Sequence, residues 1–177
     1  MLLSNVDFTK IVPDDTGLLR SGIIPYVWKD GEIYFLMGVD TQTGEFSDFG
    51  GGAKSHENAI AAAQRELDEE SRGIIKFKDM GEIRHGMLVR RKKQKMCIMF
   101  CEITKKNFFE TARDEFHMRE KEGCNHEMKD IVWIPGSKMI RLCQYKNRRS
   151  NVWSRVRYVL SNSGCFNYSL FTKLKIK

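Results

Sequence analysis

Three consecutive glycines, in the segment Phe49-Gly50-Gly51-Gly52, lead within a few residues into a stretch, 58–70, that is rich in alanine and contains neither Gly nor Pro. The composition predicts a helix from Asn58 to Glu70, preceded by the Gly-rich segment. Within that helix Glu66, Glu69 and Glu70 stand at i, i+3 and i+4, so they fall within an arc of about 100° on one face. Ile60, Ala63 and Leu67 form the neighbouring apolar stripe, which suits packing on a sheet. Like charges at these spacings repel by about 0.2–0.5 kcal/mol per pair, and no Lys is interleaved to relieve them. A divalent cation would relieve them, since clustered carboxylates are the hard oxygen donors that Mg²⁺ or Mn²⁺ takes. A solvated acidic face is the alternative.

The rest of the chain predicts one domain of mixed strand and helix. Ser21 to Trp28 and Glu32 to Val39 are rich in β-branched and aromatic residues and flank Lys29-Asp30-Gly31, which reads as a hairpin. Two further strands are expected near Ile83 to Val89 and Met96 to Ile103, joined by the basic turn Arg90 to Lys95. Phe108 to Glu120 reads as a helix, Asp130 to Ile134 as a short strand ended by Pro135-Gly136, and Asn151 to Leu160 as a helix with Val152, Val156, Val159 and Leu160 on one side. At 177 residues and 41% hydrophobic, the chain is long enough to bury a core. The order of elements predicts an α/β sandwich over residues 1–177, without repeats or a second domain.

The spacing around the acidic helix, Gly51-x5-Glu57-x7-Arg65-Glu66-Leu67-x-Glu69-Glu70, resembles the Nudix box, G-x5-E-x7-R-E-U-x-E-E-x-G-U, with U a bulky aliphatic residue. The chain departs from it at the end, where Arg72 stands at the usual glycine and Gly73 comes one residue late, before Ile74. The resemblance implies a Nudix-like α/β/α sandwich with a mixed sheet. It also implies a Mg²⁺- or Mn²⁺-dependent hydrolase that cleaves a diphosphate linkage in a nucleoside diphosphate derivative. By the same resemblance the glycine segment is a turn that offers the Gly50 carbonyl to metal, Glu66, Glu69 and Glu70 are metal ligands or nearby bases, and Arg65 pairs with Glu57. Family members usually take one more acid from outside the box. The segment from Asn125 to Trp133 is similar to the acidic loop before a Trp-containing strand in many Nudix sequences, which makes Glu127 the candidate, with Glu122, Glu120 and Glu115 as alternatives.

Charge bears on the substrate. The net charge is +7, but from Ile131 to Lys177 there is no Asp or Glu and there are ten Lys and Arg, so the first 130 residues carry −3. A basic part of this kind suits a polyanionic partner. Aromatic residues lie among the cations: Tyr145 near Lys146, Arg148 and Arg149, and Trp153 and Tyr158 beside Arg155 and Arg157. Together with Arg90, Arg91, Lys92 and Lys93, these residues are candidate substrate contacts, because an aromatic ring beside a cation can stack an unpaired base and neutralise its phosphate. For each alone, helix packing or a solvated hairpin is the alternative. The Ser47-to-Gly52 lead-in and the Glu70-to-Gly73 ending are similar to Nudix proteins of large DNA viruses, some of which remove mRNA caps. Decapping of RNA is therefore the leading expectation. The alternatives are a small-molecule Nudix enzyme acting on dinucleoside polyphosphates, nucleotide sugars, damaged nucleotides or diphosphoinositols, and an RNA-binding module without catalysis. The five cysteines, Cys97, Cys101, Cys124, Cys143 and Cys165, are odd in number and lack a C-x-x-C pair. With no run of 18 apolar residues and no signal-like start, they predict a reducing, cytoplasmic setting without a membrane partner.

Overall fold

The computed structural model describes residues 6–9, 19–76, 78, 80, 81, 85–91, 94–120, 126–144, 150–162 and 171. In chain order the elements are β1 (Val6–Thr9), β2 (Arg20–Lys29), β3 (Glu32–Asp40), β4 (Phe46–Ser47), β5 (Phe49–Gly52), α1 (Ala59–Glu70), β6 (His85–Arg91), β7 (Gln94–Glu102), α2 (Phe108–Met118), β8 (Met128–Pro135), α3 (Gly136–Cys143) and α4 (Ser154–Asn162). The expected hairpin is β2–β3. Asp30 and Gly31 both have positive φ, 51° and 82°, the turn geometry whose twist matches that of paired strands.

All eight strands form one sheet in the order β1-β6-β7-β2-β3-β4, with β5 added on β2 and β8 on β3. The β2–β7 pair is parallel and the other strand pairs are antiparallel, so the sheet is mixed as expected. β2 is the fork of the fold: residues Arg20 to Ile23 pair with β5, whereas Tyr26 to Lys29 pair with β3. The glycine segment expected as a turn is therefore a strand, held against the first half of β2.

Because successive strand residues face opposite sides, the sheet sorts its apolar residues into two cores. Ile23, Leu36, Met99 and Cys101 face α1 and α2, and meet Ala63, Leu67, Phe108, Ala112 and Phe116. Ile24, Phe35, Met37, Ile98 and Phe100 face α3 and α4, and meet Met139, Cys143, Val156, Val159 and Leu160. This is the expected α/β/α sandwich. Two expectations change in detail. Arg90 and Arg91 belong to β6 and pair with Lys95 and Gln94, so the strands continue into the segment expected as a turn. Residues after Pro135 form α3, a helix not expected from the sequence.

α1 begins where Asn58 accepts a hydrogen bond from the Ala61 N–H at 2.8 Å, a helix N-cap. Ser21 Oγ donates to the Ala59 carbonyl at 2.7 Å and fastens that end of the helix to β2. The fully buried Ala62 and Ala63 let the helix lie close on the sheet. Asn58→Ala is expected to lower stability by about 1 kcal/mol and Asn58→Gly by only a few tenths. Equal losses in thermal unfolding of the two variants would count against the cap.

Candidate active site

The buried face of α1 is Ala59, Ala62, Ala63, Glu66, Leu67 and Glu70, so two of the three glutamates point toward the sheet rather than into solvent. Glu69 is the outward one, with a side chain 48% exposed. The carboxylate of Glu66 lies against β5, where a Cβ built on Gly51 would come within 2.5 Å of it. A side chain at Gly51 would occupy the place of that carboxylate. Glu70 Oε2 accepts the Gly50 N–H at 2.7 Å. Burial, helped by the nearby Asp48 and Glu66 charges, pushes the Glu70 carboxyl up to about 9, although the Gly50 N–H and Arg20 oppose the shift.

Arg65 gathers the entrance of the site. Its Nε and Nη2 donate to the two oxygens of Glu57 at 2.8 and 3.0 Å, the pair expected from the sequence. Nη2 also donates to the Gly52 carbonyl at 2.9 Å, Nη1 donates to Glu66 at 2.5 Å, and Glu69 stands 3.7 Å from Nη1. Arg65's hydrogen bonds, joined by the Lys54 N–H, hold the Glu57 carboxyl down at about 2. Glu57 is thus ionised throughout the neutral range and keeps the guanidinium fixed.

Beneath this lies a pair that the sequence did not reveal. Arg20, 5% exposed, donates to both oxygens of Asp48, 0% exposed, at 2.7 and 2.5 Å, and also to the Gly50 carbonyl at 2.8 Å. Burial works against the Arg20 charge, but Asp48 and its hydrogen bonds outweigh it and raise the pKa above the ordinary value. The sequence signs are a charge at the head of β2 and another just before β5.

The other candidates are distributed as follows. Glu127 is exposed just before β8, and its carbonyl accepts the Thr41 N–H at 2.8 Å. Glu115 is paired with Lys105 and bonded by Thr111, and Glu120 lies 3.9 Å from Arg72. Trp153 is half-buried, with the guanidinium carbons of Arg20 and Arg155 at 5.0 and 5.3 Å from its ring. Arg157 is half-buried near Cys143, on the α3 side. Lys92, Lys93, Glu122, Arg148 and Arg149 lie outside the described residues, and the side chains of Arg90 and Arg91 do as well.

The donor chemistry fits a hard divalent cation. Among the described residues no group of three or more His, Cys, Asp or Glu side chains is gathered at ligand spacing. Glu66 and Glu70 nonetheless flank Gly50 and Gly51, and an ion of the Mg²⁺ type binds through one or two carboxylates, with water and substrate phosphate completing its shell. The Gly50 carbonyl keeps a second lone pair while it accepts from Arg20.

No protein-family model matches the chain, and no curated protein sequence matches it. Solved structures do. A C. elegans Ap4A hydrolase in a binary complex aligns over 87% of this chain and 96% of its own, at 15% identity and a TM-score of 0.55. A Bacillus subtilis pyrophosphohydrolase aligns over 96% of this chain and 87% of its own, at 17% identity and a TM-score of 0.50. Both are Nudix hydrolases, and at these identities the likeness establishes a common fold.

Two measurements check the site's electrostatics. Arg20→Met alone should cost about 3–5 kcal/mol, because it leaves Asp48 buried without its cation. Combining it with Asp48→Asn should recover much of that loss, whereas simple addition of the two single effects would show that the pair is not coupled. For Glu70, the folded carboxyl holds its proton to about pH 9, while the unfolded chain releases it near the ordinary glutamate value. Between those limits the folded state binds more protons, so the stability of the metal-free protein falls as pH rises through the window. Glu70→Gln should flatten that part of the profile, and an unchanged slope would refute the assignment.

Proposed function

We propose that this chain, which has the fold of the Nudix hydrolases, is a divalent-cation-dependent pyrophosphohydrolase that cleaves a phosphoanhydride bond in a nucleoside diphosphate derivative, with the 5′ cap of mRNA as its substrate. The observation that carries the catalytic reading is the Arg65 clamp. One guanidinium joins Glu57, Glu66 and the Gly52 carbonyl, and so sets the acidic face of α1 against β5, where Glu70 takes the Gly50 N–H.

Glu66 and Glu70, with the Gly50 carbonyl, are the groups that would hold the metal. When bound, the metal supplies charge neutralisation at the diphosphate and makes a water more acidic for in-line attack on phosphorus. Arg65 orients Glu66 from outside the ligand set, as the second layer of a metal site does. Glu69, exposed beside it, is the proton acceptor in this reading, with Glu127, exposed before β8, as the acid from outside the helix. The buried Asp48–Arg20 pair stiffens β5 beneath these groups.

The cap reading rests on charge. The ten cations after Asp130 suit a polyanion longer than a dinucleotide. Arg155 is exposed beside Trp153, which in turn contacts Arg20. A cytoplasmic setting accords with the buried thiols of Cys97, Cys101 and Cys143, which form no disulfide with one another. Among the described residues no helix is long and apolar enough to cross a membrane. A second reading, a dinucleoside polyphosphate substrate, is favoured by the likeness to an Ap4A hydrolase.

Glu69→Gln and Glu70→Gln should each cut turnover by about a hundredfold or more while leaving the protein folded. Near-normal turnover in either purified variant would sink the hydrolase assignment. Cap-labelled RNA, free cap dinucleotide and Ap4A, each assayed with Mg²⁺ or Mn²⁺ at two salt concentrations, separate the substrates. Decapping requires preference for cap on long RNA and a steep fall with salt. Cleavage of Ap4A and free cap with little salt dependence would establish the small-molecule reading instead.

A further inference from the structure

Arg72 is the residue at which the chain leaves the box pattern, and its geometry shows what the exchange accomplishes. The backbone there is left-handed, with φ of 55°, and Gly73 follows at 68°. Glycine would adopt the first of these conformations without strain, whereas any residue with a Cβ is strained in it. The long side chain is buried and runs over the Phe116 ring of α2, with its guanidinium carbon 4.0 Å from the ring centroid. Nη1 donates to the Phe116 carbonyl at 3.3 Å, and Nη2 donates to the Met128 carbonyl at 3.1 Å. Nη2 also stands 3.9 Å from Glu120.

Met128 directly follows Glu127, and three successive carbonyls of that segment are tied. The His126 carbonyl accepts Thr41 Oγ1 at 2.5 Å, the Glu127 carbonyl accepts the Thr41 N–H at 2.8 Å, and the Met128 carbonyl accepts Arg72. The Thr41 bonds tie the segment to the end of β3. The Arg72 bond ties it to the end of α1, two residues beyond Glu70. A planar guanidinium with two separately directed donors can hold α2 and β8 at once, which a glycine at this position cannot do.

We infer that Arg72 is a positioning residue that fixes the Glu127 segment relative to Glu66, Glu69 and Glu70. The inference rests on the pyrophosphohydrolase reading and on Glu127 as its outside acid. Arg72 acts through Glu127, so its removal affects turnover more than substrate binding. Residual backbone strain is accepted at the helix exit because the side chain placed there spans two other elements.

The test compares Arg72→Gly, which suits the left-handed backbone and removes only the reach, with Glu127→Gln and with the double variant. Arg72→Lys serves as a fourth protein that keeps charge without the fork. With Mg²⁺ and either capped RNA or Ap4A, Arg72→Gly should lower kcat by about tenfold or more, with KM nearly unchanged. Arg72→Lys should recover only part of that loss. Added to Glu127→Gln, Arg72→Gly should cause little further loss, because both act on one group. Independently of activity, hydrogen exchange of the metal-free protein should show a faster Thr41 amide in Arg72→Gly, with β7 protection unchanged. Independent, multiplying losses in the double variant, or unaltered Thr41 exchange, would overturn the inference. Normal turnover in Glu127→Gln would also overturn it while leaving the hydrolase reading to Glu69 and Glu70. If the wild type cleaves nothing, that reading falls, and Thr41 exchange alone decides whether Arg72 holds the segment.

Discussion

The Arg65 guanidinium is the point through which the loop before α1, the helix itself and the end of β5 are held in one geometry. It makes four hydrogen bonds, two to Glu57, one to Glu66 and one to the Gly52 carbonyl. The paired bonds to Glu57 are of the bidentate, charge-assisted kind, stronger and more directional than a single neutral hydrogen bond. Arg65 is partly exposed, so solvent screens part of the Coulomb attraction. What the clamp supplies above all is direction. A lysine would keep the charge and lose the fork, leaving Glu66 and the Gly52 carbonyl without a common reference.

Direction matters here because the groups being directed repel one another. Asp48, Glu66 and Glu70 are buried close together at the fork of β2, with Arg20 as the buried cation among them. Asp48 takes both ends of that cation, and burial, added to the remaining negative charge, keeps the proton on Glu70. Buried charges of this kind are often no more stable than an apolar core of the same shape, and strain is commonly stored at functional sites. A dication would take the place of the proton on Glu70 and cancel the negative charge left over by Arg20.

How far the sequence discloses this depends on the range of the interaction. The β2–β3 hairpin and α1 are legible because their signals are local: Asp30-Gly31 between apolar runs, and an alanine-rich stretch begun by Asn58. The spacing from Gly51 to Glu70 is legible for a similar reason, since Arg65 lies a little over two helical turns from Glu57. α3 escaped notice because it follows Pro135-Gly136 without a side-chain cap, and it forms through the packing of Met139 and Cys143 on the sheet. β5 looked like a turn because glycines have weak strand propensity; it pairs only because β2 divides there. The Arg20–Asp48 pair, 28 residues apart, exists only once those strands meet. Arg72 stood out as a departure from the pattern, but its partners at Phe116 and Met128 are 44 and 56 residues away, and no spacing rule reaches them.

The same topology gives the uneven charge a geometric meaning. α1 lies on one face of the sheet and α3 and α4 on the other, so among the described residues the acids of the box and the cations Lys138, Arg141, Arg155 and Arg157 belong to different layers. They approach each other at Trp153, whose ring lies near Arg155 of α4 on one hand and Arg20 on the other, with Arg20 reaching the Gly50 carbonyl. Because that ring already carries two guanidinium contacts, it is a link within the fold before it is a surface for a base. A ligand confined to the carboxylates would touch few of the cations in the α4 layer. One that engages both must extend around the sheet, and a chain of phosphates does so with charges at regular intervals. For the polyanion proposed above, this separation of the described cations from the acids is a more specific argument than the net +7, which a solvated surface alone would explain.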